Sequence, residues 1–287
     1  MSSAIPKADT GLIFISDLAY DLNNGTLDLP AFPDVTMQIK SALEDKEVTA
    51  EKIASLVSSD PVFSARILKL ANSVMINGAG HKINDIRTAI TRMGFNMAYN
   101  TAVSIAVEQL KSTSAPAHII PYLQECWHHS VQVAAYSYVI AKNQTRINPD
   151  TALLAGLLHD IGKYYILSRA ENYPELINTP NALEDVLDEW HTGIGRGILE
   201  AWNLSEELCV VADEHEEHGR HSTVVDLTDI VMVANLFSHR DEKDAAPDLQ
   251  WDDIHATCQL NLSEESATEV IHESEEEINS IINALES

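Results

Sequence analysis

The chain has 287 residues, of which 44 are Asp or Glu and 18 are Lys or Arg, giving a formal net charge of -26. This charge argues against nucleic acid as a partner, because binding to a phosphate backbone depends on clustered Lys and Arg side chains. No segment approaches the roughly 20 apolar residues of a membrane-spanning helix and the first residues lack a signal-peptide pattern, so we expect a cytoplasmic protein without a membrane partner.

Apolar residues recur at three- and four-residue intervals along the first part of the chain, a pattern typical of helices. Asp60 is expected to cap one of these helices, with Pro61 in its first turn. Residues 112–116 contain Ser, Thr and Pro and predict a break between two lobes. The helices predicted before this break cover residues 36–45, 49–58, 60–73, 83–93 and 95–111.

The second part of the chain shows the same periodicity and no useful strand alternation. Its predicted helices cover residues 118–142, 149–169, 191–202, 205–218 and 224–239. We therefore expect an all-α, two-lobed multi-helix bundle. Its predicted divisions are an N-terminal extension (1–24), an N-terminal helical lobe (25–112), a second lobe (113–245) and an acidic C-terminal helical segment (246–287).

The acidic segment places Glu273 to Glu277 among isoleucines and valines, which predicts a helix with a narrow apolar stripe. This helix either packs on the body of the protein or mediates a dimer or partner contact. Cys126, Cys209 and Cys258 are widely spaced and odd in number, which argues against a disulfide framework and favours small core residues.

The run from Leu157 to Lys163 sets His159 and Asp160 side by side in an apolar helical stretch, with Lys163 one turn further on. Burying such groups costs several kcal/mol unless they are paired or bound to metal. His159 and Lys163 are expected to share a helical face, while Asp160 is rotated by roughly 100°. A metal site is the favoured interpretation, and a buried His-Asp hydrogen bond with a surface lysine is the alternative.

Further candidate ligands flank this run. Glu125 and His129 are four residues apart and face the same way on a helix. His191 follows the His-Asp pair, and His215 and Glu216 come later still. Imidazole with carboxylate is a ligand set for Fe, Mn, Ni or Zn rather than calcium, so a divalent metal of this group is the expected cofactor.

The order Glu-x-x-x-His, His-Asp-x-x-Lys, a single His and then a His-rich pair resembles the HD superfamily of metal-dependent phosphohydrolases. More closely, the chain resembles the HDOD family, a bacterial output-domain relative of these hydrolases. The resemblance covers roughly residues 25–240. Its matching stretches are residues 29–33, 59–73, 83–94, 127–130 and 155–163.

This resemblance implies an HD-type helical core and a role for each matching residue. The implied metal ligands are His129, His159, Asp160, His191 and His215. Glu125 falls where the cyclic-dinucleotide branch adds a ligand for a further metal. Lys163 falls on the phosphate-contacting lysine of the family, so Asp160 and Lys163 are the residues expected to act in catalysis.

Two positions depart from the hydrolase pattern. Glu216 replaces the second histidine of a pair, and Asn235 stands where an aspartate is expected. A carboxylate can replace imidazole as a ligand, but a neutral amide oxygen is a much weaker donor to a divalent ion. The Gly-Tyr-Pro signature of cyclic-di-GMP phosphodiesterases is also absent, since residues 219–221 are Gly, Arg and His.

These departures favour an HDOD-type signalling or regulatory module with an HD-like metal site and without efficient catalysis. The alternative is a metal-dependent phosphohydrolase acting on a phosphoester or nucleotide through a mononuclear or dinuclear site. A third interpretation is a helical bundle that binds no metal. The expected partners are signalling proteins, with a phosphorylated small molecule and a second copy of the chain as further candidates.

Overall fold

The computed structural model describes residues 7–24, 34–78, 80–111, 117–170, 172–179, 181–240 and 251–286. These residues form helices and connecting turns with no β-strand among them, so the all-α prediction is confirmed. Within the same residues, no helix is both long enough and apolar enough to cross a bilayer.

The helices fall into three consecutive groups along the chain. The first group is α1 (Lys7–Asn24), α2 (Asp34–Leu43), α3 (Ala50–Ser58), α4 (Pro61–Ala71), α5 (Val74–Asn77) and α6 (Ile86–Lys111). The second is α7 (Ile120–Gln144), α8 (Pro149–Leu158), α9 (Ile161–Ala170), α10 (Pro174–Asn178), α11 (Ala182–Ala201), α12 (Glu206–Glu214) and α13 (Leu227–Ser238). A 3-10 turn (Trp251–Asp253) precedes the third, α14 (His255–Gln259), α15 (Glu264–Glu273) and α16 (Glu275–Leu285).

In the first group, α2, α3 and α4 pack against α6. Asp60 caps α4 as predicted, because its side chain accepts hydrogen bonds from the backbone N–H groups of Val62 and Phe63. Gly94 interrupts α6 with φ 83° and ψ 166°, which separates the two helices predicted over 83–93 and 95–111. The predicted break at 112–116 and the matching stretch at 29–33 lie outside the described residues.

In the second group, α7 packs along α8 and α13, while α11 packs on α9 and α12. The single helix predicted over 149–169 is wrong, since α8 ends at Leu158 and α9 begins at Ile161. The turn between them, at His159 and Asp160, allows α9 to leave the direction of α8 and pack closely on α11. His159 and Asp160 therefore lie at a helix junction rather than inside one continuous helix.

Other helix ends also differ from the prediction. α11 begins at Ala182 rather than at residue 191, so His191 lies inside this helix. α12 ends at Glu214 rather than 218, because Arg220 forms ion pairs with Asp226 and Asp229 that draw the following segment towards α13. The pattern did not predict α1, which packs on α11.

The acidic stretch from Glu273 to Glu277 spans the end of α15 and the start of α16 rather than lying in one helix, with the interruption at Ser274. α16 packs against α4, α5 and α7 and buries Ile278, Ile281 and Leu285, so the apolar stripe faces the body of the protein. The three cysteines are free; Cys209 is buried and Cys126 half-buried, but Cys258 is exposed, which corrects its prediction as a core residue.

Buried apolar side chains from all three groups form one continuous cluster that runs from Phe14 to Leu285. α6 contributes to this continuity because it packs against α7, α8 and α9 as well as against its own group. The division of the chain at residues 112 and 245 stays a prediction. The junction of α8 and α9 lies in the centre of this cluster and carries the polar residues considered next.

Candidate metal centre

The carboxylate of Asp160 lies at the centre of four histidine side chains. Its Oδ1 atom is 3.4 Å from Nε2 of His191 and 3.4 Å from Nε2 of His215. Its Oδ2 atom is 3.4 Å from Nε2 of His159 and 3.6 Å from Nε2 of His129. The two oxygens therefore divide the histidines into two pairs, one on each side of the carboxylate.

Each histidine reaches Asp160 from a different part of the fold. His129 lies on α7, His191 lies on α11, and His215 follows the last residue of α12. His159 precedes Asp160 in the turn between α8 and α9. The side chains of Asp160, His159, His191 and His215 are essentially inaccessible to solvent, and that of His129 is 16% exposed.

Hydrogen bonds to Nδ1 define the tautomers of the three buried histidines. Nδ1 of His159 lies 2.7 Å from the carbonyl oxygen of Gly156, and Nδ1 of His191 lies 2.7 Å from that of Leu187. Nδ1 of His215 lies 3.1 Å from the carbonyl oxygen of a residue one turn earlier on α12. A carbonyl only accepts, so each Nδ1 carries the proton, and each Nε2 of a neutral ring has a lone pair.

His129 follows the same arrangement through a hydroxyl group. The hydroxyl of Ser238 donates to the carbonyl oxygen of Asn235 at 2.7 Å and lies 3.4 Å from Nδ1 of His129. Because this hydroxyl uses its proton on the carbonyl, it accepts the N–H of His129 Nδ1. Nε2 of His129 is therefore also the unprotonated nitrogen.

The centre consequently brings together atoms that can only accept hydrogen bonds. Nε2 of His129 and Nε2 of His159 are 3.2 Å apart, and Nε2 of His191 and Nε2 of His215 are 3.4 Å apart. Oδ1 of Asp160 is buried and has no hydrogen-bond partner. A cation bound between these facing lone pairs would relieve their repulsion, so the residues present fit a divalent metal ion.

Burial and neighbouring charges set the ionisation of these groups. Burial lowers the pKa of His129 to about 3 and also lowers the pKa of His215, which keeps both rings neutral at pH 7. Burial opposes ionisation of Asp160, but the adjacent Lys163 ammonium, which donates to Oδ2, outweighs it and holds the pKa of this carboxyl well below its usual value. Neutral imidazole and ionised carboxylate are the protonation states that bind metal.

Lys163 and Glu216 border the accessible side of the centre. Nζ of Lys163 donates to Oδ2 of Asp160 at 2.8 Å and lies 3.9 Å from Oε1 of Glu216. Glu216 Oε1 is also 3.5 Å from Nε2 of His191, and its side chain is 40% exposed. Burial opposes ionisation of Glu216, but the nearby Lys163 ammonium lowers the pKa of this carboxyl. Burial also opposes ionisation of Lys163, but the two carboxylates raise the pKa of this side chain.

Most residues chosen from the sequence thus meet at one place. Two groups of ligand atoms lie close enough to hold an ion, and Asp160 belongs to both. The first group is Asp160, His191, His215 and Glu216, and the second is His129, His159 and Asp160. Lys163 contacts Asp160, whereas the expected helical register placed it beside His159.

Glu125 lies exposed on α7 and belongs to neither group. Asn235 is buried on α13, and its side-chain oxygen has no hydrogen-bond partner. Two neighbours of His129 escaped the sequence reasoning: Ser238, and His239, whose ring centroid is 4.7 Å from that of His129. The sequence feature that could have identified them is their spacing: they follow Asn235 by three and four residues, which places them on the same face of the predicted helix.

Comparisons with known proteins identify a matching family and several similar chains. The HDOD domain family model matches residues 29–218. Ribonuclease Y from Dehalococcoides mccartyi is 25% identical over 194 residues, which covers 67% of this chain and 31% of that protein. The chain spans 31% to 36% of the length of the curated relatives it matches.

Two solved structures share the fold. A candidate metal-dependent phosphohydrolase from Shewanella amazonensis SB2B superposes with a TM-score of 0.78 at 24% identity, over 96% of this chain and 99% of that chain. A candidate signal transduction protein from Marinobacter aquaeolei VT8 superposes with a TM-score of 0.70 at 17% identity, over 100% of this chain and 68% of that chain. At these identities the similarity concerns the fold alone.

Proposed function

Because the chain belongs to the HDOD family, we propose that it is a regulatory module in which a divalent metal ion binds around Asp160, with little or no phosphoester hydrolysis. The observation that carries the proposal is that Nε2 atoms of four histidines and the carboxylate oxygens of Asp160 lie close together in a largely buried space. Fe, Mn, Ni and Zn match this ligand set. The bound ion would join α7, α11, α12 and the α8–α9 turn.

Three features indicate that hydrolysis would be weak, two of them at the accessible side of the centre and one at a buried position. Lys163, the cation expected to contact phosphate, is already paired with Asp160 and lies beside Glu216. Glu216 adds a negative charge where an anionic phosphate would approach. Asn235 offers a neutral amide at the position where a further carboxylate is expected, and a neutral oxygen contributes less to holding a divalent ion.

A metal-dependent phosphohydrolase is the second candidate function, because the centre combines histidines, an ionised carboxylate and an adjacent lysine. When bound, a divalent ion supplies Lewis acidity for phosphoester hydrolysis. Lys163 would stabilise charge on the phosphate oxygens, and Asp160 would be the carboxylate ligand shared by the surrounding histidines. The similarity to ribonuclease Y supports hydrolysis of a phosphodiester, but the net charge of -26 argues against RNA as the substrate.

The partners proposed for the regulatory module are signalling proteins. A phosphorylated small molecule would suit the accessible side of the centre, where Lys163 lies 19% exposed. A homodimer remains a further proposal, and among the described residues the apolar face of α16 is already used within the chain.

The first experiment measures metal content by elemental analysis of the full chain purified without a metal-affinity step. In parallel, bis-p-nitrophenyl phosphate and cyclic dinucleotides are tested for hydrolysis, and melting temperature is measured with and without EDTA. We expect bound metal, a lower melting temperature in EDTA, and no turnover. Metal together with turnover would establish the hydrolase, whereas absence of metal would leave a purely structural helical bundle.

Two variants and a matched histidine control sharpen this test. His159→Ala and Asp160→Ala are expected to abolish metal content and the effect of EDTA on melting. His128→Ala is the control, because His128 adjoins His129 on α7 but pairs with Glu286 at 2.7 Å on the surface. Unchanged metal content in the Asp160→Ala protein would remove the basis of the metal proposal.

Asn235→Asp tests why hydrolysis is weak. If the neutral amide limits metal binding, the added carboxylate is expected to tighten metal affinity and to raise turnover of bis-p-nitrophenyl phosphate. The buried position of Asn235 means that an aspartate there would need the ion as its partner. Tighter metal binding without turnover would assign the weak activity to Lys163 and Glu216 instead.

A further inference from the structure

A second concave site lies between the first group of helices and α16, and no residue of the metal centre lines it. This α4–α16 cleft has a volume of about 1000 Å³, is open to solvent, and is bordered by α4, the start of α5, residues 82–84 and one face of α16. Its volume falls at the upper end of the range of small-molecule sites. It is therefore large enough for an organic ligand.

The cleft is lined by residues of the family-matching stretches at 59–73 and 83–94, which the metal centre does not use. Leu68, Val74 and Ile83 give it apolar walls, and the side chain of Val74 is 57% exposed. Lining of this kind suits the apolar body of a ligand, because contact there would remove hydrocarbon surface from water.

The charge of the cleft is the reverse of the charge of the chain. Two lysines, Lys69 and Lys82, line it together with a single acidic residue, Glu276, although the chain has 44 acidic and 18 basic residues. Nζ of Lys69 donates to the carbonyl oxygen of Asn283 at 2.7 Å. Lys82 is exposed and has no ion-pair or hydrogen-bond partner among the described residues, so it is available to an anion.

Ser73 adds an unused hydroxyl group to the lining. Its Oγ atom is buried and has no hydrogen-bond partner, and it makes no capping hydrogen bond to α5 although it occupies the cap position. A buried hydroxyl without a partner is unfavourable, and an acceptor oxygen on a ligand would remove this penalty. Ser73 and Lys82 thus offer a donor and a cation to the same cleft.

The walls of the cleft are held in place by side chains of α4 and the residue that follows it. The amide of Asn72 forms two 2.8 Å hydrogen bonds with the backbone of Ile83, donating to its carbonyl oxygen and accepting from its N–H. Arg66 donates to the carbonyl oxygen of Leu285 at the end of α16 and to Oε2 of Glu108. A preformed cleft binds with a smaller entropy cost than one that must be ordered by its ligand.

We propose that the α4–α16 cleft binds a small organic anion, with its carboxylate, sulfonate or phosphate group at Lys82 and Ser73 and its apolar body against Leu68, Val74 and Ile83. The metal centre and this cleft share no residue, so the regulatory module would carry a ligand site separate from its metal site. This inference does not depend on the proposed function.

The test uses the full chain and the fluorescent probe 8-anilinonaphthalene-1-sulfonate, an anion with an apolar aromatic body. We expect saturable binding with one probe per chain to the folded protein, competition by decanoate, and little competition by inorganic phosphate. Equal binding by EDTA-treated protein would separate this site from the metal centre. Competition by inorganic phosphate as strong as by decanoate would overturn the requirement for an apolar body.

Three variants locate the site, and a fourth is the control. Lys82→Glu is expected to weaken probe binding at least about tenfold, because it replaces an attractive charge with a repulsive one. Ala65→Trp places a large side chain from the exposed Ala65 into the cleft and is expected to abolish binding, while Ser73→Ala is expected to weaken it severalfold. Lys46→Glu makes the same charge change at an exposed turn outside the cleft and is expected to leave binding unchanged.

Melting temperature is measured for every variant, so that loss of binding is separated from loss of folding. Ala65 and Lys82 are exposed, so substitutions there are expected to preserve the fold. Probe binding that is the same in Lys82→Glu, Ala65→Trp and wild-type protein would overturn the proposal. Binding of many probes per chain without saturation would overturn it as well, because it would indicate general exposed apolar surface.

Discussion

Gly162 is a position of close approach between α9 and α11, and replacing it with alanine tests whether this approach holds the metal centre together. A Cβ atom at Gly162 would lie 2.8 Å from the carbonyl carbon of His191 and 2.9 Å from the backbone nitrogen of Gly195, and closer still to the His191 carbonyl oxygen. All of these atoms belong to backbone and cannot rotate away. Since carbon atoms pack at about 3.5–4.0 Å, the two helices would have to separate by about 1 Å.

This separation sets the expected cost of Gly162→Ala. Overpacked core positions lose about 1–3 kcal/mol, and a clash with backbone belongs at the upper end, so we expect a loss of about 3 kcal/mol in the free energy of unfolding. The same movement would carry His191 away from Oδ1 of Asp160, from which its Nε2 is now 3.4 Å distant. Metal affinity is therefore expected to fall together with stability.

Gly193 provides a matched control on the same helix. A Cβ atom at Gly193 would meet nothing within 4 Å, and the position is exposed inside α11. Gly193→Ala is therefore expected to stabilise the protein by about 0.5–1 kcal/mol through helix propensity. Both variants are measured by urea unfolding followed by circular dichroism, with and without added metal. A Gly162→Ala protein as stable as wild type would refute the close-approach argument.

Four further substitutions test other parts of the fold. Arg220→Ala is expected to lower the free energy of unfolding by about 3 kcal/mol, because it removes the cation that pairs with the buried Asp229. Arg196→Ala is the contrast: Arg196 lies in an exposed network with three carboxylates, so its loss is expected to cost less than about 1 kcal/mol. Similar shifts in the urea midpoint of the two variants would contradict this contrast. Gly94→Ala is expected to destabilise by about 1–3 kcal/mol, since φ 83° with ψ 166° suits glycine alone, and a stabilised protein in urea would exclude strain at this position. Arg66→Ala is expected to raise amide hydrogen exchange in α16, because Arg66 donates to the carbonyl oxygen of Leu285, the last residue of this helix. Unchanged exchange would show that this hydrogen bond does not hold α16 in place.

The sequence was informative wherever a property depends on neighbours along the chain. Three- and four-residue periodicity indicated the all-α class, because a helix with one buried face repeats its apolar residues at that interval. Asp60 before Pro61 indicated the start of α4, since a capping side chain acts on backbone groups two and three residues away. His159 and Asp160 are polar groups in an apolar segment, which is unfavourable unless they are paired or bound to metal. Their sequence position therefore indicated a buried polar site.

The sequence was less informative about the members of the centre and their contacts. It could place Glu125 and His129 on one face of a helix, but only the packing of α7 shows that His129 meets Asp160 while Glu125 is exposed. It placed Lys163 beside His159, whereas the turn after Leu158 brings Lys163 to Asp160. A helical register fixes the direction of a side chain only as long as the helix continues.

The sequence by itself determined the helical class, the starts of several helices and most of the candidate metal-ligand residues. The tertiary structure alone decided that Asp160 lies between two pairs of histidines, that Gly162 allows α9 to approach α11, and that the stretch before Asn72 lines a cleft against α16. The physical reason is the range of the forces involved. Periodicity and capping act over a few residues, whereas these contacts join backbones that lie far apart along the chain.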